Sequence, residues 1–126
     1  MRQQKSYILL IRCNKDVKIR TKSNKIFLIK RGIYAYVGSC GKYCNRRIER
    51  HLSKIKNKFH WHIDFLTSNS DCETIAVLIL NREEKEVASA LFLHMHDYIK
   101  DFGSSDDREN LSHLFLVDDL RKLLFI

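Results

Sequence analysis

Proline is absent from all 126 residues, and glycine occurs only four times. A chain so poor in both has no composition for a flexible or disordered connector, and it shows no repeat or low-complexity tract. One compact domain spanning residues 1–126 is therefore expected. Long hydrophobic runs are missing too. In the amino-terminal MRQQKSYILLIRC the apolar run is soon interrupted by Arg12, too short for a signal peptide or a membrane span. The cysteines, Cys13, Cys40, Cys44 and Cys72, form no CxxC pair, so a cytoplasmic protein with reduced, ordinary thiols is expected. Negative charge is the minority sign. Lys and Arg number 23 against 15 Asp and Glu, giving a net charge of +8 and a pI near 9.5. That balance favours a polyanionic partner, nucleic acid or an anionic membrane, although a lysine-rich soluble protein would share it. No basic amphipathic helix with exposed bulky anchors supports the membrane reading.

What is present reads first as strands. Tyr7 to Ile11 is a short apolar, β-branched run suited to a buried strand, and Asn14-Lys15-Asp16 turns into the alternating Val17 to Thr21, a natural hairpin. Lys22-Ser23-Asn24 turns again into Ile26 to Ile29. Lys30-Arg31-Gly32 then leads into Ile33 to Val37, so the first third has the pattern of an antiparallel meander. The period then changes from two to 3.6. Asn45 is placed to cap a helix whose stripe is Ile48, Leu52 and Ile55. Trp61 to Leu66 and Thr74 to Leu80 have strand character. A second helix is expected from about Arg82 to Tyr98 on Val87, Leu91, Met95 and Tyr98, then a strand at Leu114 to Val117 and a short helix at Asp118 to Leu124. The class expected is α+β, with a mixed or antiparallel sheet and helices packed on it.

Within GIYAYVG, residues 32–38, the side chains of Tyr34 and Tyr36 point to one face of a strand. Two phenols there serve either as core β-formers with hydroxyls at the rim or as part of a site. The helix that follows carries Arg47 and His51 four residues apart, on one stripe beside the apolar seam. An arginine fork suits a phosphate, and histidine or tyrosine can move a proton at neutral pH. In the second helix Glu84 falls on the stripe of Val87 and Leu91, where a carboxylate is costly unless paired or metal-bound. Glu83 is the reserve, Glu86 points roughly opposite, and a helix amino terminus also favours glutamate through its dipole.

These residues, with the blocks WHIDFL at 61–66, FGSSD at 102–106 and SHLF at 112–115, resemble the GIY-YIG nuclease superfamily, within it a small single-domain branch found in archaea and bacteria. The blocks keep their order and cover nearly the whole chain. The resemblance implies that the literal GIY at Gly32 is not the first tyrosine motif: Tyr7 in Ser6-Tyr7-Ile8-Leu9 is the counterpart, with Lys5 where the motif's glycine stands, and Tyr36-Val37-Gly38 is the second.

The resemblance further implies phosphodiester hydrolysis by water with a divalent metal, Mg²⁺ or Mn²⁺. Tyr36 and Tyr7 would handle the water, Arg47 the phosphate, His51 the place where the family has His or Tyr, and Glu84 the metal. DNA is the expected substrate ahead of RNA, held by the basic residues Lys42, Arg46, Arg50, Lys54, Lys56 and Lys58. A nucleic-acid-binding module without efficient catalysis is the alternative on the same fold. His62, Asp64, Asp106 and His113 form a second polar set, read either as ligands for a borderline metal such as zinc or as structural residues that orient histidines and cap turns.

Overall fold

Ser6–Cys13 forms strand β1, and its stretch from Tyr7 to Ile11 is buried on both faces, which is why it reads as an unbroken apolar run instead of alternating. The structure, a computed structural model, describes residues 3–56, 58–59, 61–104 and 107–126. Strands β2 (Val17–Arg20) and β3 (Ile26–Ile29) follow, then β4 (Gly32–Ser39), helices α1 (Cys44–Leu52) and α2 (His62–Thr67), strand β5 (Cys72–Leu80), helix α3 (Glu84–His94), and strands β6 (Asp97–Tyr98) and β7 (Leu114–Leu116). A 3₁₀ helix, Leu120–Phe125, comes last.

The fold is α+β. Its main sheet has five strands in the order β5-β1-β4-β7-β6, every neighbouring pair antiparallel. Alternation along β1 divides the core. Tyr7, Leu9, Ile11 and Cys13 face one cluster with Tyr34 and Tyr36 of β4, Ile48 of α1, and Ile63 and Leu66 of α2. Ile8 and Leu10 face the other, with Ala35 and Val37 of β4 and Val87, Ala88 and Leu91 of α3. Helices thus cover both faces, and the phenols of Tyr7 and Tyr36 share one side of the two central strands.

Several elements differ from the sequence reading. β1 does not form a hairpin with β2: β2 and β3 make a separate two-stranded sheet, while β1 pairs with β4 and β5. Local turns suggested a meander, but long-range burial of both β1 faces decides the pairing. The stretch Trp61 to Leu66, expected to be a strand, instead enters helix α2, so the polar pair His62 and Asp64 sits on a helix. The Asp64 carboxylate accepts the Trp61 amide, and Ile63, Leu66 and Thr67 are buried at helical spacing.

Helix α1 starts at Cys44 with Tyr43 before it, so Asn45 lies inside the helix and does not cap it. Ile48 and His51 are its buried contacts, while Leu52 and Ile55 are exposed. Helix α3 stops at His94, because Tyr98 belongs to an edge strand paired with Phe115 of β7.

The cysteines also depart from expectation. They are not reduced thiols: Cys13 is bonded to Cys72 and Cys40 to Cys44. The β1–β5 register sets Cys13 directly opposite Cys72, and the turn at Gly41 returns Cys44 to within 4.2 Å of Cys40, Cα to Cα. Among the described residues no helix is long and apolar enough to cross a membrane.

Candidate functional site

A cleft of about 310 Å³ opens over the phenol-bearing side of β1 and β4. The strands contribute Tyr7 and Tyr36, α1 contributes Arg47, the start of α2 contributes Trp61 and His62, and the first residue of α3 contributes Glu84. Asp107 and His113, from the segment between β6 and β7, close the remaining wall. Backbone economy makes room for these groups. Gly38 sits opposite Tyr7 in the β1–β4 ladder, and a Cβ there would lie 2.3 Å from the Tyr7 ring and hydroxyl. Gly103, at φ +69, packs in the same way against the Tyr36 ring.

The Tyr7 hydroxyl and Nε2 of His51 are 2.6 Å apart. Burial depresses His51 to about 4, so it is neutral at neutral pH, and burial also raises the Tyr7 phenol above its ordinary value. A phenol is a stronger donor than a neutral imidazole, so the hydroxyl donates and Nε2 accepts. Tyr36 is likewise raised by burial and then by the neighbouring Tyr7. Arg47 donates through Nη1 to the Ser39 carbonyl at 2.7 Å and lies over the Trp61 ring, 5.6 Å from its centroid, which fixes the guanidinium at the cleft wall. His62 accepts the Gly103 amide on Nδ1 at 3.1 Å, and burial lowers its basicity.

Opposite Arg47, burial pushes the Glu84 carboxyl up, against the pull of His113 and of the Ser39 backbone. Its Oε1 is 3.9 Å from Nδ1 of His113. On the far side of that ring, Nε2 is 2.7 Å from Oδ2 of Asp107. Burial acts to raise Asp107, yet hydrogen bonds from His113, Asn110 and the Glu109 amide hold its carboxyl below the usual range. The ionised carboxylate only accepts, so Nε2 of His113 carries the proton it donates.

A family model described as Domain of unknown function DUF123 matches residues 6–125. The chain belongs to that family. No curated protein and no solved structure gives a match. The DUF123 match spans every residue of the cleft, from Tyr7 to His113.

Of the residues singled out in this DUF123 chain, Tyr7, Tyr36, Arg47, Glu84, His62 and His113 converge on the cleft, and His51 lies behind Tyr7 as its hydrogen-bond partner. Asp64 does not join them. It is fully buried and holds Arg50 through two contacts, at 2.6 and 2.9 Å. Arg50 is thereby removed from the expected basic face, and its second nitrogen also donates to the Lys58 carbonyl. Lys54 turns its ammonium to the carbonyls of Asn69 and Cys72, and Lys56 to that of Ser53. Lys42, Arg46 and Lys58 are exposed, with Arg46 over the Tyr43 ring at 4.9 Å. Asp106 lies outside the described residues. Glu83 is exposed beside Lys5, and Glu86 beside Arg82.

Sequence reasoning missed Asp107 and gave Trp61 no role of its own. Asp107 stands in a polar run that reads as a turn, and only the fold reveals that it orients His113. Trp61 was visible as part of a rare block, but its place between two arginines depends on α1 packing against α2.

Proposed function

We propose that the protein is a divalent-metal-dependent nuclease that hydrolyses phosphodiester bonds, in DNA ahead of RNA. The observation that carries this reading is the convergence of Tyr7, Tyr36, Arg47 and Glu84 on one cleft although they come from separate elements. The donor set fits a hard divalent cation. Among the described residues no three His, Cys, Asp or Glu side chains form a cage, but Mg²⁺ and Mn²⁺ sites on phosphate substrates commonly use one or two carboxylates and complete their shell with water and phosphate. Glu84 is the residue that would hold the cation, whose chemistry there is neutralisation of phosphoryl charge and activation of water.

The chain's own groups supply the rest. Arg47 spends one donor on Ser39 and presents its remaining fork to a phosphate, offsetting charge that builds on the phosphoryl oxygens. Tyr7 need not ionise in the resting site. A water proton passes to the Tyr7 oxygen as the phenol proton passes to Nε2 of His51, and the resulting hydroxide attacks phosphorus while the bond to the leaving oxygen breaks. The leaving oxygen takes a proton from solvent. The charge of Asp64 favours the imidazolium formed in this step. Tyr36, beside Tyr7, orders the same water. Exposed Lys42 and Arg46, close to Arg47 in sequence, would extend the contact to neighbouring phosphates.

The test is incubation of the purified chain with branched, single-stranded and duplex DNA and with RNA, in Mg²⁺, Mn²⁺ or chelator, read on denaturing gels. Metal-dependent cutting supports the nuclease. Intact substrates with salt-sensitive binding would replace it with the binding module.

A further inference from the structure

His113 is 1% exposed, yet it lines the cleft, and among the described residues its Nδ1 has no hydrogen-bond partner. A buried ring nitrogen left unpaired is costly. Its other nitrogen is fixed by Asp107, itself held by the Glu109 and Asn110 amides and the Asn110 side chain, so the ring cannot turn to relieve the deficit cheaply. With the proton on Nε2, the lone pair of a neutral ring stands on Nδ1 and faces Glu84. The 3.9 Å between Nδ1 and Oε1 is too long for a hydrogen bond. Adjacent donors each about 2.1 Å from a metal stand roughly 3.0–3.6 Å apart, so an inward shift of a few tenths of an ångström, about 0.3 Å, brings this pair onto one cation. A carboxylate that orients a histidine whose other nitrogen meets a metal is a recurrent arrangement in metal sites.

We propose that His113 is a metal ligand together with Glu84, that Asp107 positions it, and that the site binds a first-row transition-metal cation, with Mn²⁺ as the probe, more tightly than Mg²⁺. The inference rests on the cleft being a metal site, as the nuclease reading requires, and adds a nitrogen ligand to it. Imidazole suits Fe²⁺, Ni²⁺ and Zn²⁺, and Mg²⁺ and Mn²⁺ both take oxygen donors; Mn²⁺, lowest in the first-row affinity order, is the demanding probe, so nitrogen in its shell reports the histidine.

The experiment loads the full chain with Mn²⁺ and reads electron spin-echo modulation from directly bound ¹⁴N, alongside Mn²⁺ titration and competition by Mg²⁺. The expected result is a nitrogen coupling in the wild-type protein that His113→Gln abolishes and His62→Gln leaves in place. Mn²⁺ affinity should fall at least tenfold in Glu84→Gln, and 10- to 100-fold in Asp107→Asn with the nitrogen coupling retained. If His113→Gln does not fold, the wild-type spectrum, the His62→Gln spectrum and the Mg²⁺ competition still decide. Mn²⁺ bound through Glu84 without nitrogen coupling, a coupling lost in His62→Gln, or equal Mg²⁺ and Mn²⁺ affinity would overturn the proposal and leave the nuclease reading standing. Absence of Mn²⁺ binding would end both. Mn²⁺ held by His113 and Glu84 in a protein that cuts no nucleic acid would uphold the ligand assignment and end the nuclease.

Discussion

The Tyr7 hydroxyl donates to Nε2 of His51 across 2.6 Å, joining the interior strand β1 to helix α1 beneath the cleft. The bond requires a neutral imidazole, and burial supplies one by lowering His51 to about 4. Its consequence is measurable in stability. The folded value lies below the unfolded value of about 6.5, so folding favours the neutral ring. The contribution is complete above about pH 6.5 and is lost as the pH falls towards 4, amounting to about 3 kcal/mol. Denaturant unfolding of wild type and His51→Gln at pH 7 and pH 4 should show that much less acid loss in the variant. Parallel pH dependence in the two proteins would contradict a buried neutral His51.

Gly38 is required by its cross-strand partner. In Gly38→Ala the new methyl would meet the Tyr7 ring at 2.3 Å, and either the strands separate or the phenol leaves His51. Overpacking of this kind costs about 1–3 kcal/mol. The unfolding midpoint should fall accordingly, and any cleavage activity should fall with it.

Two arginines of α1, Arg50 and Arg46, divide their roles. Arg50→Ala strips the guanidinium from a fully buried Asp64 and should cost about 3 kcal/mol. Arg46→Ala, on the exposed side of α1, should change stability by less than about 0.5 kcal/mol. It should instead lower nucleic-acid affinity and reduce the salt slope by about one. Titration of binding against salt, beside denaturant melts, separates the two effects.

The cysteine pairing gives a direct count. Unfolded without reductant, the protein should show no free thiol, because Cys13 is bonded to Cys72 and Cys40 to Cys44. Opening the longer loop, which spans 59 residues of sequence, should destabilise the chain by about 4 kcal/mol on the chain-entropy view. Four reactive thiols in the native preparation would contradict this pairing.

Much of this was legible in the residues themselves. The α+β class followed from the change of period after Val37. The inward placement of Glu84 followed from its spacing to Val87 and Leu91, which are both buried. Pairing was not legible, because β1 chooses β4 over β2 through burial on both faces, which no local turn records. Trp61 to Leu66 misled because six residues carry either period. The disulfides were hidden by the same gap: Cys13 meets Cys72 only through the β1–β5 register. Arg50 looked like a phosphate contact since nothing in its helix reveals that Asp64, fourteen residues on, is buried beneath it.

The nuclease reading is tested most directly by single-turnover cleavage with Mn²⁺, comparing wild type, Arg47→Ala and Glu84→Gln on any substrate the wild type cuts, with binding measured in parallel. The expected result is cutting by wild type that chelator stops and that falls by about 10²–10³ in Arg47→Ala with nucleic acid still bound. Cutting at the wild-type rate by both variants, or none by the wild type under any metal, would contradict a catalytic cleft.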